Sequence, residues 1–240
     1  MKFKSILWGV VTLLALCAML AWVWQQRVAL STRWVPQPAY QMGKDPAQYA
    51  GSLQRIKVKK SQWRTQKIPA LQLSSSFTQL FHDEVLAYWY GTPWDFYGVS
   101  QTPQSGTIAC GYFVTTTLRD MGVPIERSRL AQLPSEAMIR ELVAPTHIAH
   151  LSKRGLTQLD TDLRRLGSGV YVVGLDTHTG FIIVDAQKQS AHFIHSSGAF
   201  PYRVVNEPVI ESTVLEHSQY RVVGKLTADA GLMSRWLNAR

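Results

Sequence analysis

Residues 170–198 read VYVVGLDTHTGFIIVDAQKQSAHFIHSSG, and this stretch decides the fold class. Short apolar runs at Val170–Leu175, Gly180–Asp185 and Ser190–His195 are separated by polar turns, which is typical of antiparallel strands. A fourth strand is predicted at Tyr220–Leu226. Upstream of this region the apolar residues recur at three-and-four spacing, which is typical of helices. The sequence therefore predicts an α+β domain, with helices first and an antiparallel sheet after them.

Four helices are predicted before the sheet, and one short helix closes the chain. The first begins near Ser74 and ends at Gly91, where glycine stops it. The others are predicted at Ile108–Met121, Pro134–Val143, Leu156–Leu166 and Leu232–Leu237. The second of these helices begins beside Cys110, after a polar loop, and this position matters for the chemistry below.

Length, composition and charge indicate one folded domain behind a leader. The chain has 240 residues, of which 46% are hydrophobic and 17% charged, and its formal charge is +9. Much of the excess charge lies in one stretch that contains Arg55, Lys57, Lys59 and Lys60. Such a cluster fits an anionic polymer or lipid surface, or simply a solvated basic face. No aromatic residues alternate with these charges, so we expect no nucleic-acid partner.

The N-terminus predicts a membrane segment. Lys2 and Lys4 precede a run from Ile6 to Trp24 without charged residues, which is long enough to span a bilayer as a helix. A cleaved signal remains the alternative. We therefore predict an anchor or signal in residues 1–30, a basic linker in 31–72 and the folded domain in 73–240. The lysines favour a cytoplasmic N-terminus, with the bulk of the chain outside or in the periplasm.

The chain has only two cysteines, Cys17 in the apolar leader and Cys110 in the domain. This count excludes a disulfide framework and a multi-cysteine zinc site. A lone thiol in an exported domain has two interpretations: it is a catalytic nucleophile, or it is a buried residue that packs as a small hydrophobic side chain. At a helix start, the helix dipole and free N–H groups are expected to lower the thiol pKa.

Two histidines can come close to one edge of the predicted sheet. His178 precedes one strand and His195 ends the next, so a hairpin turning near Gln187–Gln189 brings them together. One imidazole can serve as a base for Cys110 while the other orients it. His192 lies three residues before His195 and is expected on the opposite face of the strand.

These residues resemble a known family. The segments Gly91-Thr-Pro93-Trp94-Asp-Phe96-Tyr-Gly98, Ala109-Cys110-Gly111-Tyr112, His178-Thr-Gly180-Phe-Ile182 and Phe193-Ile-His195-Ser-Ser197 are similar, in order and spacing, to motifs of NlpC-type papain-like cysteine peptidases. The resemblance covers roughly residues 80 to 200. It departs from the family at Ala109, usually aspartate, at Gly111, usually serine, and at Trp94, usually tyrosine.

The resemblance implies a papain-like domain in which a nucleophile-bearing helix packs on the antiparallel sheet. It implies Cys110 as nucleophile, His178 as base and His195 as the orienting third residue. Trp94, Tyr112 and Ser197 are then expected to contact substrate, which would be a peptide, most readily a peptidoglycan peptide. No cofactor and no metal are expected.

Three other readings stay open on the sequence. An amidase or acyl transferase would use the same residues on another substrate. A membrane-anchored binding module that has lost activity would account for the departures at Trp94 and Ala109. A metal site built from Cys110, His178 and His195 would also fit the residue types.

Overall fold

The computed structural model describes Met19 and residues 41–239. Residues 41–239 belong to one compact unit, Tyr40–Arg240, which is the one described below. Apart from Met19, the predicted anchor or signal lies outside the described residues, as does the first part of the predicted linker. Within the described part of the chain, no helix is both long and apolar enough to cross a bilayer.

Eight helices and six strands are used in the description that follows. The helices are α1 (Tyr49–Gln66), α2 (Ala70–Leu80), α3 (Cys110–Asp120), α4 (Arg127–Ala131), α5 (Ser135–Leu142), α6 (Leu156–Leu166), α7 (Thr213–His217) and α8 (Ala230–Asn238). The strands are β1 (Ile148–His150), β2 (Gly169–Leu175), β3 (Thr179–Asp185), β4 (Ser190–Ser196), β5 (Val204–Pro208) and β6 (Arg221–Lys225). A π-helical turn at Phe81–Leu86 continues α2 into a last turn at Ala87–Trp89.

The strands form one antiparallel sheet in the order β1-β6-β2-β3-β4-β5. The predicted α+β class is therefore confirmed, and the four predicted strands appear within two residues of their expected ends. Two strands were not predicted. The strand β1 has three residues, and β5 ends in Asn206-Glu-Pro208, a composition that is poor in strand formers. Pairing with longer neighbours places both in the sheet.

Helices cover both faces of the sheet. Val170 and Val172 of β2 join the core that contains α1, α2, α3, α5 and α8. Tyr171 and Val173 point the other way, into a second core with Leu159 and Leu163 of α6. Because both faces are buried, the strands read as nearly continuous apolar runs rather than as alternating ones.

The predicted linker at 31–72 is corrected over its described part. Residues 49–66 form the 18-residue helix α1, where the sequence predicted a linker. Tyr49 and Ile56 are buried, and the Tyr49 hydroxyl donates to Asp120 at 2.7 Å. Only four residues of α1 are buried, and two of them are polar, so the sequence shows no clear apolar repeat at helical spacing. Tertiary packing, rather than amphipathic pattern, holds this helix.

The basic cluster of α1 is also partly corrected. Lys60 is buried, its ammonium group donates to the Gly122 carbonyl at 3.3 Å, and it lies 5.6 Å from the centre of the Trp236 ring. Arg55 pairs with Glu84 at 2.6 Å. Lys57 and Lys59 are exposed. Of the four residues predicted to contact an anionic surface, Lys60 is therefore buried in the protein interior and does not face such a surface.

Candidate active site

Cys110 is the first residue of α3, as the sequence predicted. Ala109 before it is extended, and its carbonyl accepts the first helical hydrogen bond from the N–H of Phe113 at 2.8 Å. The N–H groups of the first helical turn have no acceptor within the helix, so they remain available to stabilise negative charge. The predicted placement of the thiol at a helix N-terminus is confirmed.

The helix that carries Cys110 is fixed against the sheet by aromatic packing and by one buried hydrogen bond. Phe113 of α3 meets Phe181 of β3 edge-on, with ring centres 5.9 Å apart. The Ser196 hydroxyl, at the end of β4, donates to the Ile108 carbonyl at 2.7 Å. Because Ser196 follows His195 directly, this bond ties the chain before Cys110 to the strand end that carries the histidine.

Gly111, the residue after Cys110, lies where a side chain would not fit. A Cβ atom at Gly111 would overlap the backbone carbonyl oxygen of Ala131, at the end of α4. A serine at this position, as in the family that the motifs resemble, would force α3 and α4 apart. The departure at Gly111 therefore matches the close approach of these two helices rather than a change at the thiol.

His178 and His195 contact each other. His178 Nε2 lies 2.8 Å from His195 Nδ1, and the two rings are nearly perpendicular, at 82°. His178 is half-buried at the turn before β3, whereas the side chain of His195 is fully buried on β4. Gly180 lies beside His195 across the β3–β4 pair, and a Cβ there would be 2.6 Å from His195 Cβ. The hairpin predicted from the sequence thus brings both imidazoles together.

A carboxylate that was not predicted from the sequence contacts His195. Glu207 Oε1 is 3.2 Å from His195 Nε2. Glu207 belongs to β5, which was not predicted, so no sequence signal placed it near the histidines. His192, by contrast, contacts Asn206 at 3.0 Å, so the two histidines of β4 meet different partners, as their expected opposite orientation requires. The four residues come from four segments: Cys110 from the start of α3, His178 from the turn before β3, His195 from β4 and Glu207 from β5.

The protonation preferences of the site differ from the expectation for the thiol. Burial raises the pKa of Cys110, and this outweighs the opposing effect of the backbone N–H groups of Thr179 and Gly111. Burial also lowers the pKa of His178 well below its usual range, with a further lowering from the charge of His195. The predicted lowering of the thiol pKa is therefore wrong, because desolvation exceeds the effect of the helix start. The raised pKa of Cys110 favours a neutral thiol, and the lowered pKa of His178 favours a neutral imidazole.

Two cavities meet at the turn that carries His178. One, of about 580 Å³, is lined by Cys110 and His178 together with the α4–α5 connection and Tyr220. The other, of about 490 Å³, is lined by His178, Ala199 and the residues of α7. Both share Leu175 to His178. The turn is therefore a ridge with space on each side, and sizes of this order suit small-molecule or peptide fragments.

The three residues predicted to contact substrate lie outside the walls of both cavities. The Trp94 ring packs against Gly198 and lies 6.4 Å from Tyr202. Arg127 stacks over the Tyr112 ring at 4.7 Å. The hydroxyl of buried Ser197 accepts from the N–H of Ala199 at 3.2 Å and so shapes the turn after β4.

The remaining polar residues near the site are accounted for by turns. Asp176 accepts from the hydroxyl of Ser218 and from the backbone N–H of Gln219, each at 2.7 Å. Asp185 accepts from the backbone of Lys188 at 3.1 Å. Both carboxylates therefore stabilise turns. Among the described residues, no group of three or more His, Cys, Asp or Glu side chains could hold a metal ion.

Comparisons of this chain with protein-family models, with curated proteins and with solved structures each found no match.

Proposed function

We propose that this chain is a thiol hydrolase of papain-like type, in which Cys110 is the nucleophile, His178 its base and His195 the orienting residue. The observation that carries the proposal is the imidazole pair, joined at 2.8 Å, beside a cavity that also contains the thiol at the start of α3. A thiol and a base that line one cavity, with a second imidazole hydrogen-bonded to the base, form the arrangement that acyl transfer needs. The α3 helix against an antiparallel sheet is consistent with the papain-like architecture.

In the proposed reaction the Cys110 sulfur attacks the carbonyl carbon of an amide. The thiol proton passes to His178 and then to the departing amine, and the acyl group stays on sulfur as a thioester. Water then gives a proton to His178 and attacks the thioester carbon; the carbon–sulfur bond breaks, the carboxylic acid product leaves, and His178 returns the proton to the Cys110 sulfur. The negative oxygen of each tetrahedral intermediate is stabilised by the Cys110 backbone N–H at the helix start. Because the resting pair is neutral, proton transfer accompanies attack instead of preceding it.

The proposed substrate is an amide bond in a peptide of the cell wall, as the family resemblance implies. The ridge at Asp176–His178 supports a two-sided cleft, since His178 touches both cavities whereas Cys110 touches one. A cleaved bond held over the ridge would extend into space on either side. We further propose that the N-terminal segment holds the domain at a membrane, outside the cytoplasm. Exposed Lys57 and Lys59 are the described members of the basic cluster that remain free to face an anionic surface.

The test uses the full-length chain in detergent micelles, with p-nitrophenyl acetate as acyl donor and purified peptidoglycan fragments as substrate. Mass spectrometry after acid quench is expected to find the acetyl group on Cys110, and none in Cys110→Ala. His178→Ala is expected to lower the acylation rate by about 10²–10⁴-fold, the usual contribution of a general base. Equal acylation of native and urea-unfolded protein would reject the hydrolase. Acylation without cleavage of the fragments would reject only the cell-wall substrate.

A further inference from the structure

A fourth residue stands in line with the imidazole pair. Glu207 Oε1 lies 3.2 Å from His195 Nε2, and the His195 side chain is fully buried while that of Glu207 is 30% exposed. Glu207 lies across from Phe193 in the β4–β5 register, and the Phe193 ring stacks on His195 with centres 3.9 Å apart. The stacked ring and the carboxylate leave the imidazole little freedom to rotate. This is unlike an exposed ion pair, in which both side chains move in water.

The proton positions follow from which atoms can donate. A carboxylate only accepts, so His195 Nε2 must carry a hydrogen. In a neutral imidazole the other nitrogen then accepts, and His195 Nδ1 can only receive a hydrogen bond. His178 Nε2, 2.8 Å away, must therefore be the donor. This leaves the lone pair of His178 on Nδ1, the form of the ring that can take a proton from a thiol.

Without the carboxylate the opposite arrangement of hydrogens is also open to the pair. His195 could carry its hydrogen on Nδ1 and donate to His178 Nε2, which would place the His178 hydrogen on Nδ1. That form of His178 cannot act as a base through Nδ1. We propose that Glu207 is a positioning residue that selects the base-competent tautomer of His178 through His195, an inference that rests on the hydrolase proposed above.

The negative charge of Glu207 has an effect on the imidazole pair in addition to orienting it. When His178 takes the thiol proton, positive charge develops on a pair that burial keeps neutral at rest. Glu207 of β5 contacts His195, whereas the other titratable groups around the pair share a cavity with His178: Cys110, Glu136, Asp176 and Tyr220 in one, Asp176 and His217 in the other. Asp176 is exposed and hydrogen-bonded to the Ser218–Tyr220 segment. Glu207 is thus the carboxylate in contact with the pair, and it stabilises the imidazolium as it forms.

The test compares Glu207→Gln with Glu207→Asp and with Asn206→Ala in the full-length chain. Glutamine keeps the shape but loses the charge and gains a donor, aspartate keeps the charge, and Asn206 is the neighbouring residue that faces His192 instead. We expect Glu207→Gln to slow acylation of Cys110 by p-nitrophenyl acetate at least about tenfold, with partial rescue by aspartate. Asn206→Ala should leave the rate unchanged.

Two readouts separate positioning from a merely structural role. Nitrogen-15 spectra of labelled histidines should show hydrogen on Nε2 of both His178 and His195 in the native chain, and a mixture of tautomers in Glu207→Gln. The acid limb of the acylation rate should also move to lower pH, because removing a carboxylate lowers the pKa of the neighbouring imidazoles.

The inference and the hydrolase fail separately. Native tautomers, an unshifted acid limb and a native rate in Glu207→Gln would overturn the role of Glu207 and leave the hydrolase intact. If native Cys110 shows no acylation above that of the unfolded chain, the hydrolase is rejected, and the nitrogen-15 spectra alone decide whether Glu207 sets the tautomers.

Discussion

Gly180 offers the sharpest perturbation of the imidazole pair, because it lets β3 and β4 approach beside His195. A Cβ at this position would lie 2.6 Å from His195 Cβ and 2.9 Å from the backbone oxygen of Ile194. Ordinary carbon contacts begin at 3.4 Å, so Gly180→Ala must move the atoms apart by about 0.8 Å. If this displacement is directed along the line between the two imidazoles, the His178 Nε2–His195 Nδ1 distance grows from 2.8 Å to about 3.6 Å. That distance is beyond hydrogen-bond range.

The expected cost has two parts. Overpacking of this kind lowers the free energy of unfolding by about 1–3 kcal/mol. Misplacement of a catalytic group by nearly 1 Å lowers the rate by up to about 100-fold. Urea unfolding followed by tryptophan fluorescence measures the first, and acylation of Cys110 by p-nitrophenyl acetate measures the second. Nitrogen-15 spectra should show that the His178 Nε2–H is no longer hydrogen-bonded.

The matched control is Gly224→Ala in β6 of the same sheet. A Cβ there would be 2.5 Å from Ile139 Cγ2 and 3.0 Å from Val143 Cγ2, so it produces a packing clash with no imidazole involved. We expect a similar loss of stability but a native rate of acylation. If Gly180→Ala is acylated as fast as Gly224→Ala and keeps the native histidine spectra, then strand approach does not set the pair, and the reasoning is refuted.

Three further predictions concern stability, each measured by urea unfolding. Tyr49→Phe should lower the free energy of unfolding by about 1–3 kcal/mol, because half-buried Asp120 loses a donor; a native value would mean that α1 is not held by this bond. Gly111→Ala should cost about 1–3 kcal/mol through its clash with Ala131, and no cost would show that α3 and α4 separate freely. Burial lowers the pKa of Lys60 from its usual 10.5 to about 8. Between pH 8 and pH 10.5 the unfolded chain therefore binds a proton that the native chain does not, and the free energy of unfolding rises with pH. Lys60→Met should remove that rise, of up to about 3 kcal/mol; an equal rise in the variant would assign it elsewhere.

Much of the fold could be predicted because its signals are local. The apolar runs of β2, β3 and β4 are bounded by polar turns, and the helix α6 has the predicted bounds, Leu156–Leu166. The helix α1 and the strand β5 could not be predicted, since neither carries a strong pattern of its own. Each is stabilised by distant partners, such as Asp120 for Tyr49 and β4 for β5.

For the candidate site, the sequence by itself determined the residue types, their order and their attachment to a helix start and a hairpin. Spacing along the chain is enough for this, because a turn at Gln187–Gln189 brings two strands together. Only the tertiary structure decided that burial outweighs the helix start at Cys110, that Lys60 points inward and that Glu207 reaches His195. Desolvation and contacts between distant segments depend on what surrounds each group in three dimensions, and no local pattern encodes them.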